Sequence, residues 1–225
     1  MNDERLDRAL AHSGDILPAA LAAKIRARIQ ADTQPVKLMP SGPVCVFWFA
    51  AIFGLVSTLF ASLLGFRGLH LLSTEQTAEF LSALLVLTLA SGAMAARGMR
   101  PGSGSLHSWL LGGVALAVYD SLVIFFFKDY STAGFVPRGV VCLLLGVACA
   151  LIAAVPIWLI VRRGFVVEPV QTGAIVGLVA GLAGLLALTL HCTVLTTPHA
   201  AVWHAGVVVI CVAAGAIAGR VAGHA

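Results

Sequence analysis

Six apolar runs dominate this sequence. They lie near residues 44–66, 77–97, 107–127, 139–161, 170–190 and 200–220, and each is about 20 residues long. A helix of that length crosses a hydrocarbon core about 30 Å thick. Backbone N–H and C=O groups find no water in lipid, so a spanning segment must satisfy them internally, which a helix does. Composition agrees: 60% of the residues are hydrophobic and only 11% are charged. One soluble core cannot hide that much apolar surface. The expected fold is an all-α integral membrane bundle of six transmembrane helices, residues 43–225, preceded by a polar tail, residues 1–42.

Lysine and arginine set the expected orientation. With the tail in the cytoplasm, that side holds eleven of the fourteen basic residues, including Arg97, Arg100, Arg162, Arg163 and Arg220. The other side holds Arg67, Lys128 and Arg138. The positive-inside rule therefore predicts both termini in the cytoplasm. No cleavable signal peptide is evident, because no apolar run begins before Val44. Gly173, Gly177 and Gly181 in the fifth run, and Gly215, Gly219 and Gly223 in the sixth, predict close helix–helix packing. Pro156 predicts a kink in the fourth helix.

The tail carries six basic and five acidic residues. A short helix is expected over 2–12, with Leu6 and Leu10 on one side. A second is expected over 18–31, where Leu21, Ile25 and Ile29 repeat every four residues as one apolar stripe. Such a stripe suits a groove on a protein partner. With Lys24, Arg26 and Arg28 beside it, it equally suits an anionic lipid surface.

Chemistry concentrates between the last two runs. His191, Cys192, His199 and His204 lie within fourteen positions, and imidazole and thiolate are ligands for ions such as Zn and Cu. Topology adds Cys142, whose helix starts at the same membrane surface. A disulfide, a shared metal ion or inert packing are all open to Cys142 and Cys192. His199 and His204 are five residues apart, about 140° around an α-helix. They are therefore not expected to share a face, and an interfacial position beside Trp203 is the plainer reading. Cys45, Cys149 and Cys211 read as small buried hydrophobes. Asp120 is the one acid well inside a span, and an intramembrane carboxylate marks a proton relay, a ligand contact or an interhelical hydrogen bond. P-loop, HExxH, GxSxG and dinucleotide fingerprints are absent, so no enzyme and no resident cofactor are expected.

The stretch from Phe135 through Pro137, Arg138, Gly139 and Cys142 to Gly146, followed by Pro156, Trp158, Arg162, Arg163 and Gly164, resembles the fourth-helix region of bacterial NrsF-type proteins, negative regulators of sigma-F. Leu190, His191 and Cys192, with Val202, Trp203 and His204, resemble the segment joining that family's last two helices. Asp32 to Pro40, ahead of the first span, is also similar to family members. The resemblance implies an inner-membrane anti-sigma factor that sequesters an extracytoplasmic-function sigma factor, with no direct contact to nucleic acid. It also implies that two periplasmic cysteines, Cys142 and Cys192 here, respond to heavy metals or oxidative stress. His191, His199 and His204 are candidate additional metal ligands, and Leu21, Ile25 and Ile29 candidate sigma-binding residues. The alternative expectation is a small-solute or metal-ion transporter working through Asp120.

Overall fold

The computed structural model describes residues 19–32, 40–100, 107–164, 166 and 168–223. Ala19–Asp32 forms α1, a unit by itself, in which Leu21 and Ile25 are exposed. The helix expected over 2–12 and the side chain of Ile29 lie outside the described residues.

The rest is a bundle of six long helices: α2 (Gly42–Leu64), α3 (Thr74–Gly98), α4 (Ser108–Phe126), α5 (Phe135–Val161), α6 (Pro169–His191) and α7 (Thr197–Ala222). Among the described residues there is no strand. Each helix matches one apolar run, and their ends follow local chemistry. Pro43 and Pro169 sit in first turns, where a missing N–H costs nothing. Ser73 and Gln76 form a reciprocal capping box at the start of α3, with distances of 3.1 and 2.9 Å. α5 starts at Phe135, four residues before the apolar run, because Gly134 adopts the left-handed conformation (φ 68°) that launches it. Pro156 lies within α5, which continues past it to Val161.

The helices differ most in what surrounds them. Large apolar side chains such as Leu63, Val86, Leu110, Phe125, Leu144, Leu151 and Ile217 are each more than half exposed on the outside of the bundle. In water such a surface would drive association, whereas in hydrocarbon it is the face lipid wets. The chain is a multi-pass membrane protein. α6 is the exception: every residue from Thr172 to Leu190 is buried. It is the central helix, and the others pack around it.

Glycine makes this possible. α6 packs most extensively against α7, and the two backbones nearly touch. A Cβ on Gly173 would collide with the Gly215 carbonyl, and one on Gly177 with the Cys211 carbonyl. Further along α6, Gly184 meets the Gly146 carbonyl of α5 in the same way. Lipid offers helices no hydrophobic drive to associate, so close van der Waals approach does the work. Polar ties supplement it, among them one from α2. The Ser57 hydroxyl of α2 lies 2.9 Å from the Ala183 carbonyl of α6 as well as 2.5 Å from Phe53 in its own helix.

Two loops hold the far end of α6. Gly68 and Leu69 donate their N–H groups to His191 and Leu190 carbonyls at 3.2 and 3.0 Å. Gly68 has no room for a Cβ, which would lie 2.6 Å from the Thr189 carbonyl and 2.7 Å from that of Cys192. The α4–α5 loop reaches the start of α7, where Thr197 donates its N–H to Asp129 at 2.8 Å.

Gly177→Val should lower the thermal midpoint of the purified protein in detergent sharply, since overpacking against an unyielding neighbour costs about 1–3 kcal/mol or more. Gly113→Ala, where nothing lies within 4 Å of the added carbon, should leave the midpoint within a degree or two, or raise it. Equal midpoints for both variants would mean that the α6–α7 glycine contact is not what holds the bundle.

Candidate functional site

The central helix ends in a cluster of soft ligands. Cys192 is the residue after α6, extended rather than helical (φ −67°, ψ 131°), and still bonded through its N–H to Leu188 at 2.7 Å. Its side chain is buried. Cys142, in the early turns of α5, is half-buried, and the two sulfurs are 3.5 Å apart. Both are free thiols.

The histidines arrive by a route that α-helical geometry does not predict. α7 begins with one α turn, Thr197–His199, then changes to a π-helical turn over Ala200–His204 before resuming at Ala205. In a π turn the hydrogen bonds run from i to i+5. Residues five apart then lie much closer to one face than the roughly 140° of an α-helix allows. His199 and His204, expected on different faces, are therefore neighbours, with ring centroids 5.2 Å apart and planes at 81°. Both are buried to about 1% exposure. One ligand atom each from Cys142, Cys192, His199 and His204 lies within 4.8 Å of all the others.

Those distances suit one ion. With Zn–S about 2.3 Å and Zn–N about 2.0–2.1 Å, a tetrahedral centre has S–S edges of about 3.8 Å and S–N edges of about 3.6 Å. The Cys142–Cys192 sulfur separation is 3.5 Å, and Cys192 Sγ to His199 Nε2 is 3.6 Å. Two imidazole nitrogens in this buried region, His199 Nδ1 and His204 Nε2, have no hydrogen-bond partner. A buried polar atom left unpaired costs about 1–3 kcal/mol. The other His204 nitrogen, Nδ1, sits 3.3 Å from the buried Tyr119 hydroxyl of α4.

The Cys192 thiol is held well below its ordinary ionisation range. The Cys142 thiol hydrogen-bonded to it is the main cause, aided by the His199 and His204 side chains and opposed by burial. The Val194 N–H also points at this sulfur, at 3.4 Å. The thiolate is the form that binds metal and attacks in disulfide exchange, and this setting favours it at Cys192. Trp203 roofs the region. Its indole packs at 5.4 Å from Phe135 and fills the space that a Gly139 side chain would need.

His191 stands apart from this cluster. Its Nδ1 lies 2.9 Å from the Gly65 carbonyl, and because a carbonyl only accepts, Nδ1 is the donor there. The ring ties α6 to the end of α2, where Gly65 takes φ 92°. Asp120 does not join the four either, although its Oδ1 is buried without a partner. Cys45, Cys149 and Cys211 are buried elsewhere in the bundle. Tyr119 was not singled out from the sequence. A hydroxyl inside an apolar run, next to Asp120, was the signal, since a buried tyrosine nearly always finds a partner.

Comparison with known proteins decides the family. The sequence matches the family described as NrsF, negative regulator of sigma F, over residues 29–222. The chain belongs to the NrsF family. The matched region takes in all six spans and the four clustered side chains. NrsF members are named for negative regulation of a sigma factor, which makes a sigma factor the partner and transcription the process regulated. No curated protein and no solved structure matches the chain.

A thiol-specific oxidant used gently on the folded NrsF chain should consume two of its five cysteines, read by thiol titration after denaturation. Cys142→Ser should abolish that loss, and Cys149→Ser should not. Loss of thiols that ignores Cys142 would place the reactive pair elsewhere.

Proposed function

We propose that this NrsF-family protein is a membrane-bound anti-sigma factor of the bacterial inner membrane. It sequesters an extracytoplasmic-function sigma factor on its cytoplasmic tail and releases it when metal or oxidant reaches Cys142 and Cys192 on the periplasmic side. The observation that carries the reading is the family match combined with a four-ligand cluster at the bundle end opposite the arginine-rich one. The excess of arginine at the α3, α5 and α7 ends supports a cytoplasmic position for that side.

Two chemistries act on the same sulfurs. A divalent ion binds the pair as thiolates and displaces their two protons, with His199 and His204 as further ligands. A peroxide-class oxidant takes two electrons and the two thiol protons, joining the sulfurs as a disulfide and leaving as water. Either event changes how α5, α6 and the start of α7 meet.

The energy available is sufficient for switching. Moving a two-state equilibrium from 1:99 to 99:1 takes a difference of about 5.5 kcal/mol in binding the two states. Closing a four-ligand thiolate–imidazole site supplies about 10–16 kcal/mol. A site complete in only one state therefore drives the change even if the other state keeps part of the affinity. The rigid element between the two ends is α6, in backbone contact with α7 along its length. The exposed Leu21 and Ile25 of α1, with Ile29, form the stripe that docks on the sigma factor. The bilayer itself is the other partner.

Replacing Leu21 and Ile25 together by Asp should turn on the sigma-dependent genes in the absence of stress, by tenfold or more in a reporter assay, with the protein still inserted at normal levels. A reporter that stays silent while the variant is stably expressed would remove the stripe from the sigma interface.

A further inference from the structure

We propose that Tyr119 is the outer-shell positioning residue of a closed Cys2His2 receptor for a d10 ion of the zinc and cadmium class. In this receptor Tyr119 holds His204 in the tautomer that presents Nε2 to the ion. The proposal deepens the metal branch of the proposed function and rests on that reading only for its biological consequence.

The Tyr119 hydroxyl lies 3.3 Å from His204 Nδ1. The other ring nitrogen, Nε2, is buried without a partner, and His204 is one of the four clustered ligands. A neutral imidazole that ligates through the lone pair of Nε2 carries its proton on Nδ1. The Tyr119 oxygen is the acceptor within reach of that proton. Tyr119 and His204 thus form a two-member relay from α4 to the cluster.

Packing holds the relay in place. Tyr119 is buried at about 2% exposure, with its ring 5.9 Å from Phe80. Phe80 also stacks on Phe127 at 5.7 Å. A phenol so confined has one place to put its oxygen. Metal-bound histidines generally donate their second ring nitrogen to such an outer group, and losing that group weakens metal binding about 10- to 100-fold.

The ligand set selects the ion. Two thiolates and two imidazoles at tetrahedral separations favour borderline and soft ions over oxygen-seeking Mg2+ or Ca2+. Four protein ligands leave no coordination position open, which marks a site that holds its ion rather than activating water on it. His191, committed to the Gly65 carbonyl, is not needed.

The test uses the reduced full-length protein in detergent, with Co2+ as the probe and zinc as competitor. The wild type should give the intense visible bands of a tetrahedral site together with thiolate-to-cobalt charge transfer, and release two protons per ion. Tyr119→Phe should keep the same bands but bind about 10- to 100-fold more weakly. His204→Gln should change the bands, and adding Tyr119→Phe to it should cost nothing more, because the two residues act in series. In 15N-histidine-labelled wild type loaded with zinc, one metal-bound histidine should be protonated on Nδ1 and coordinated through Nε2. Unchanged affinity in Tyr119→Phe, additive losses in the double variant, or zinc on Nδ1 of His204 would overturn the role of Tyr119. An octahedral or thiolate-free cobalt spectrum in the wild type would overturn the receptor. None of these measurements contains a sigma factor, so failure here is separate from failure of the anti-sigma reading.

Discussion

A helix buried on every side inside a membrane protein must have neighbours that come close on every side. That constraint shapes this molecule. From Thr172 to Leu190, α6 is glycine, alanine and aliphatic residues apart from Thr172 and Thr189, all of them buried. Gly173 and Gly177 let α7 lie against its backbone, and Gly184 does the same for α5. The outer helices then need only one apolar face for the core and one for lipid. Because α6 is central, the residue that follows it, Cys192, is delivered to the meeting point of α5, α7 and the loops between helices.

The cluster at that point illustrates how costly polar groups organise a membrane fold. Imidazoles and thiols are expensive to bury unpaired. In this bundle they are gathered rather than scattered: Cys142 touches Cys192, Cys192 touches His199, and His199 packs on His204. The π turn at Ala200–His204 is what makes the gathering possible. Insertions of this kind occur mostly as single turns at functional sites. A straight α-helix through 197–222 would carry one imidazole away from the sulfurs. The same sulfurs cannot be a disulfide and a four-ligand metal site at once, so metal and oxidant compete for one switch in the proposed reading.

Much of the architecture was legible in the sequence, because a span of about 20 apolar residues has few structural options. The six helices follow the six runs, and the glycine repeats at 173, 177 and 181 marked the closest contact. That α6 would be the enclosed helix was not legible, since a run without polar faces reads alike whether lipid or protein surrounds it. Topology alone placed Cys142 and Cys192 at one surface, but their 3.5 Å separation required coordinates. The histidine pair departs from the α-helical expectation for a definite reason: the π turn at Ala200–His204 does not keep about 100° per residue. His191 looked like a ligand by proximity in sequence, whereas helix α6 ends between it and Cys192 and sends the two side chains to different partners.

The account stands or falls on whether the clustered side chains control the sigma factor. The direct measurement is release of that factor from the full-length protein in lipid nanodiscs, followed by fluorescence anisotropy as Cd2+ is added under reducing conditions. The account predicts dissociation at an occupancy of one ion per protein. It also predicts no response from a variant carrying Cys142→Ser, Cys192→Ser, His199→Gln and His204→Gln that still binds the sigma factor. Release from that variant at the same cadmium concentration, or a wild-type complex that stays intact with its site filled, would contradict it.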